Sequence, residues 1–162
     1  MRRLFALFVL FLWFSGSSHA DFKVLFCEAV CGGGECRVHV VLDSQFVNDL
    51  RSVLSEGADY VLVLEFKGIK GKFSFKRLFS YDIIDRLYIL KDGLEEEKIA
   101  EPFWFYYRAR IFDFSIPLPL KKGKRLYVRA VKRNPDLPFP FNLLPVGSFK
   151  TSWCECRVKD GE

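Results

Sequence analysis

Histidine is almost missing from this chain. Of its two histidines, His19 and His39, only His39 lies beyond the N-terminal segment. Any Ser-His or Cys-His nucleophilic pair would therefore have to use that one ring. With Val38, Val40 and Val41 around it, His39 reads as a structural histidine in mid-strand rather than a base. The C-x2-C pairs of structural zinc sites are missing too. The five cysteines are spaced C-x3-C-x4-C (Cys27, Cys31, Cys36) and C-x-C (Cys154, Cys156), and structural zinc sites do not use these intervals. Gly32-Gly33-Gly34 lacks the Lys and Ser/Thr of a nucleotide loop, so it reads as a hairpin tip. Apart from Met1 there is no methionine, Gln45 is the single glutamine, and only Asn48, Asn134 and Asn142 are asparagines. So few thermolabile residues among many Lys, Arg and Glu fit a heat-loving source. No apolar run approaches the about 20 residues that a membrane-spanning helix needs.

What is present begins with Met1-Arg2-Arg3, an apolar run from Leu4 to Phe14, and a small polar stretch ending Ser18-His19-Ala20 before Asp21. This three-part design predicts a secretory signal over residues 1–20. An uncleaved N-terminal anchor is the rival reading. No cysteine follows Ala20, which disfavours a lipid-anchored form. Residues 21–162 are then one domain's worth of chain, enough for a core. The formal net charge is +5, and Arg2 and Arg3 belong to the signal. The remaining mild basicity argues against dedicated nucleic-acid binding and permits weak contact with anionic surfaces. The expected location is exported, periplasmic or extracellular.

The composition holds 18 Phe, 6 Tyr and 3 Trp, which favours pleated, half-buried surfaces. Phe22–Cys27 and Cys36–Asp43 read as strands. In the second, Cys36, Val38, Val40 and Leu42 share one face and Arg37, His39 and Val41 the other. Asp43 or Ser44 caps an amphipathic helix over about 44–56, whose Phe46, Val47, Leu50, Val53 and Leu54 form one stripe that ends at Gly57. Asp59–Lys67 alternates as a strand with Tyr60, Leu62, Leu64 and Phe66 on one face. Lys72–Phe75 and Ser80–Leu90 read as strands, and Glu95–Glu97 as a solvated helix start or loop. Pro102–Arg110 reads either as a second short helix with Pro at its first position or as an aromatic strand, with the helix favoured. Phe112–Leu118 is extended, Leu126–Val131 is a strand, Pro135–Pro145 is a long loop, and Phe149–Val158 is the last strand. Short strands at this spacing with one clear helix predict a mainly β, sandwich-like domain.

The strand Tyr60-Val-Leu-Val-Leu-Glu65, the segment Phe79-Ser-Tyr-Asp-Ile-Ile-Asp-Arg-Leu-Tyr88, the strand Leu126-Tyr-Val-Arg129, the loop Leu137-Pro-Phe-Pro140 and the closing Ser152-Trp153 together resemble an uncharacterised family of exported bacterial proteins. That family is known only by a domain-of-unknown-function label. The resemblance covers most of residues 21–162, although the cysteines depart from the family's pattern. It implies an exported, largely β domain with no assigned catalytic residues. It also implies a partner in the envelope or membrane, such as a sensor kinase.

In an exported chain the default for Cys27, Cys31, Cys36, Cys154 and Cys156 is disulfide bonding. Cys154 and Cys156 lie two apart on a strand and cannot easily bridge each other. Both are expected to pair with the N-terminal hairpin, leaving one odd thiol. The alternative is a cysteine-based metal or redox protein. Asp82, Asp85 and Asp113 among aromatics are the carboxylates available for catalysis, yet strand ends and turns commonly carry Asp. No catalytic set, metal site or cofactor is assigned. Leu137, Phe139, Phe141, Leu143 and Leu144 make the Pro135–Pro145 loop unusually apolar. It either closes one end of the sandwich, the favoured reading, or docks a protein or membrane, in which case these are the candidate partner-binding residues. The basic tip Lys121–Arg125 is an ordinary solvated turn or a contact for anionic head groups. Phe103–Tyr107 is expected in the core, and if exposed it becomes an interface candidate. The sequence therefore predicts an exported, non-catalytic binding or envelope-associated accessory domain.

Overall fold

The computed structural model describes residues 22–68, 73–116, 125–133 and 149–161. The residues 1–20 read as a signal, the 137–144 binding loop and the tip residues 121–124 lie outside them. The ten strands are β1 (Val24–Gly32), β2 (Glu35–Leu42), β3 (Tyr60–Lys67), β4 (Phe73–Asp82), β5 (Leu87–Asp92), β6 (Glu95–Ile99), β7 (Ile111–Ile116), β8 (Leu126–Arg133), β9 (Phe149–Lys150) and β10 (Cys154–Asp160). Helix α1 (Ser44–Ser55) joins β2 to β3, and helix α2 (Pro102–Ala109) joins β6 to β7. The strands form one curled sheet in the order β6-β5-β4-β3-β8-β10-β1-β2-β7, with β9 beside β8. The protein is mainly β, with the inner faces of this sheet turned on one another in sandwich-like fashion.

Alternation explains how the sheet is lined. Cys36, Val38, Val40 and Leu42 of β2 are all fully buried, whereas Arg37 and His39 on the opposite face are not. Tyr60, Leu62, Leu64 and Phe66 of β3 join the same core. Curling lays the edge strand β7 across β3 and β4. The Phe114 ring stacks on Phe75 at 4.5 Å and meets the edge of Phe66 at 5.6 Å. Arg77 of β4 fixes this closure. Its guanidinium grips Asp92 with two bonds of 2.6 Å and donates to the Ile111 carbonyl of β7 at 2.7 Å. It also lies over the Phe112 ring at 4.1 Å. A buried arginine with every such contact met is tolerated, but one deprived of its carboxylate is strongly destabilising.

The chain ends meet in the middle of the sheet, where β1 and β10 run parallel. There Cys27 bonds to Cys156 across 129 residues of sequence, and Cys31 bonds to Cys36 across 5. By loop-closure entropy the long bridge stabilises by about 5 kcal/mol and the short one by about 2 kcal/mol. Cys154 forms no disulfide, so only one of the two C-terminal cysteines pairs with the hairpin. It packs partly buried against the core instead. Two disulfides point to a non-cytoplasmic, oxidising compartment. Among the described residues no helix is long and apolar enough to cross a membrane.

Four local expectations are corrected. Ser80–Leu90 is a hairpin rather than one strand. Asp82 Oδ1 accepts from the Ile84 and Asp85 amides at 2.9 and 3.1 Å, and Arg86 takes a φ of 56°. This side-chain closure turns the chain where apolar alternation suggested continuity. Glu95–Glu97 belong to the edge strand β6, where charge discourages further strand pairing. The last strand breaks at Thr151–Trp153 between β9 and β10. The β1–β2 strands reach to Gly32 and Glu35, so the tip shrinks to Gly33-Gly34. These two residues have φ of 64° and 90°, which glycine alone accepts without strain.

Candidate functional site

The two helices stand differently on the sheet, and the site lies between them. In α1, Asp43 caps the N-terminus by accepting from the Phe46 amide at 3.3 Å, and Gly57 at φ 78° ends it. Phe46, Leu50 and Leu54 face the core. Asp49 accepts from the Tyr60 hydroxyl at 2.6 Å and from Lys132 at 3.0 Å, which ties the helix to β3 and β8. The adjacent stripe of α1 carries Ser44, Val47, Asn48 and Arg51, and it turns away from the core toward α2. In α2, Phe105 and Ala109 are buried. Four-residue spacing then aligns Pro102, Tyr106 and Arg110 on one flank and Phe103 and Tyr107 beside them.

Between these stripes runs an open groove of about 960 Å³, floored by Tyr81 of β4 and Tyr88 of β5. Its size falls within the range of ligand sites. Tyr81 and Tyr88 are cross-strand partners with ring centroids 4.8 Å apart. Tyr88 stacks on Phe105 at 4.5 Å, and this fixes its ring from below. Arg51 lies over the Tyr106 ring at 4.8 Å. Burial pushes the Tyr106 hydroxyl up to about 12, with neighbouring Tyr88 adding to the rise and Arg51 opposing it. The end of α2 is held by the Arg110 carbonyl, which accepts from the Leu42 amide at 3.0 Å. Arg110 Nε, by contrast, is buried without a hydrogen-bond partner among the described residues. The lining residues include neither histidine nor cysteine.

The structure splits the Phe103–Tyr107 run that was expected in the core. Phe105 is fully buried, while Phe103 is 77 %, Trp104 49 % and Tyr107 46 % exposed. Beyond Tyr81, the β4–β5 tip displays Ile83 and Ile84. A helical turn bearing five rings cannot bury all of them against one sheet, and this was the one sequence signal that pointed to the groove. Its other parts, Arg51, Tyr81, Tyr88 and Arg110, carried no such mark.

The remaining candidates are scattered. Asp82 closes its turn, Asp85 lies exposed in the same turn, and Asp113 pairs with His39 across β2 and β7. The three carboxylates therefore form no common site. His39 is half exposed on the outer face rather than sheltered among valines, with Asp113 and the Phe26 ring as its neighbours. Four cysteines are committed to disulfides, which leaves Cys154. Burial, then the Glu155 carboxylate, pushes its thiol up, away from the thiolate that metal or redox chemistry needs. No group of three or more His, Cys, Asp or Glu among the described residues could hold a metal ion. Arg125, the described end of the basic tip, pairs with Glu155 at 3.6 Å.

No protein-family model, no curated protein and no solved structure matches this chain.

Proposed function

We propose that this protein is an exported, non-catalytic binding domain that docks a partner in the groove between α1 and α2. The observation that carries the reading is the ring-lined groove, bordered by Phe103 and Tyr107, which stay exposed, with Trp104 stacked beside Tyr107, on a helix whose other face is locked into the core. Exposed aromatics on a rigid support, with arginine beside them, are the composition of interface hot spots. The two disulfides support a location in an oxidising compartment. The signal-like N-terminus supports export, and an envelope or membrane protein is the partner we favour.

The deciding experiment compares two double variants in partner cross-linking in the exporting cell. Loss with Phe103→Ala plus Tyr107→Ala, and retention with Phe139→Ala plus Phe141→Ala, is the expected pattern. The reverse pattern would move the docking surface to the 137–144 loop. A cysteine-based metal or redox role finds no comparable support, because Cys154 alone remains outside a disulfide.

A further inference from the structure

The groove's charge narrows what it accepts. Its lining carries two arginines, Arg51 and Arg110, against one carboxylate, Glu101. Arg51 is held in place over the Tyr106 ring. Arg110 lines the same groove half-buried, and its Nε has no hydrogen-bond partner among the described residues. A guanidinium without a carboxylate partner calls for an anionic acceptor, and a carboxylate is the planar anion whose two oxygens match guanidinium nitrogens. Tyr81, Tyr88, Phe103, Tyr106 and Tyr107 line much of the groove, and Trp104 stands half-exposed beside it, stacked on Tyr107. A small anion would leave this surface bare. An extended chain with apolar side chains would cover it.

We propose that the groove binds an acidic peptide segment. One of its carboxylates is received by Arg51 and Arg110, and its apolar side chains lie on Tyr81, Phe103, Tyr106 and Tyr107. This rests on the groove being the docking surface. It adds that the occupant is a peptide and that its charge is negative. Arginine suits the role better than lysine, because its fork of donors is preorganised for a carboxylate.

The test is selection of a displayed random-peptide library on the full disulfide-bonded protein, followed by affinity measurement with the recovered synthetic peptides. The expected result is enrichment of Asp and Glu beside apolar residues. Affinity should then fall about tenfold or more with either Arg51→Gln or Arg110→Gln. Arg51 is exposed, so its variant tests the idea even if the Arg110 variant folds poorly. Peptides that need Phe103 and Tyr107 but show no acidic enrichment would overturn the charge inference and leave the docking surface standing. Peptides indifferent to Phe103→Ala and Tyr107→Ala would overturn both. Oligogalacturonate or phosphatidylglycerol vesicles binding through the same two arginines, with no acidic peptide recovered, would overturn the peptide in favour of a glycan or a lipid surface.

Discussion

Helix α1 and helix α2 both lie against the curled sheet with one apolar stripe, yet they use it differently. Helix α1 buries its large side chains, Phe46, Leu50 and Leu54. Phe46 sits among Phe22, Tyr60 and Phe79 with centroid distances of 5.3, 5.7 and 5.8 Å. It is capped at both ends and pinned by Asp49. Helix α2 buries Phe105 and Ala109 and displays Phe103, Trp104 and Tyr107. Its Glu101 makes no side-chain cap, and its anchors are Arg108 with Glu97 at 3.3 Å and the backbone bond to Leu42. Burial of rings holds the fold together, whereas a contiguous patch of displayed rings is a candidate interaction surface. The contrast teaches that a ring-rich helix can divide its residues between core and surface within two turns.

The contrast can be broken most sharply at Phe46. Phe46→Ala should cost about 4 kcal/mol, read as a fall in the denaturant midpoint. A loss below about 1 kcal/mol would mean that α1 is not the structural helix.

Alkaline titration separates the helices a second way. Tyr60, beneath α1, has its hydroxyl pushed up by burial and then by the Asp49 carboxylate, far above the ordinary tyrosine range. Tyr106 of α2 rises only to about 12. In both cases the folded chain keeps a proton that the unfolded chain releases near about pH 10. The associated stability is therefore complete below that pH and is lost as pH rises through and beyond it. Tyrosinate absorbance should show Tyr106 ionising in the folded protein and Tyr60 only on unfolding. Tyr60→Phe should flatten the alkaline fall in stability, and an unchanged pH profile would remove Tyr60 as its source.

Capping gives a smaller effect. Asp43→Ala should cost about 1 kcal/mol, measured by thermal unfolding. The smallest effect is expected on the displayed face, where Phe103→Ala plus Trp104→Ala should change stability by no more than about 0.5 kcal/mol. A larger loss would show these rings to be part of the core and end the distinction between the helices.

Local features were legible where short-range physics decides them. Asp43, the stripe Phe46-Leu50-Leu54 and Gly57 mark α1 because capping and a 3.6-residue period act within the segment itself. Pro102 marks the start of α2 for the same reason, and alternation assigned the buried face of β2 and one of the two buried faces of β3, whose other face packs Val61 and Val63 against Val131. The β4–β5 hairpin was missed because Ile83-Ile84 looks like strand, and the turn is made by one carboxylate, Asp82, bonding two amides. The edge strand at Glu95–Glu97 was missed because its pairing with β5 comes from the partner strand, not from apolar content of its own.

By itself the sequence determined the mainly β class, the first helix and the two faces of each alternating strand, and it favoured a second helix and disulfide bonding for cysteines near the chain ends. Only the tertiary structure decided which cysteines bond, because that depends on the parallel meeting of β1 with β10, which sets Cys27 against Cys156 and leaves Cys154 aside. It alone decided that the rings of α2 divide between core and surface. And it alone assembled the groove, since Arg51 of α1, Tyr81 of β4 and the Tyr106–Arg110 flank of α2 come together only when the sheet curls, and no periodicity along the chain encodes a juxtaposition across it.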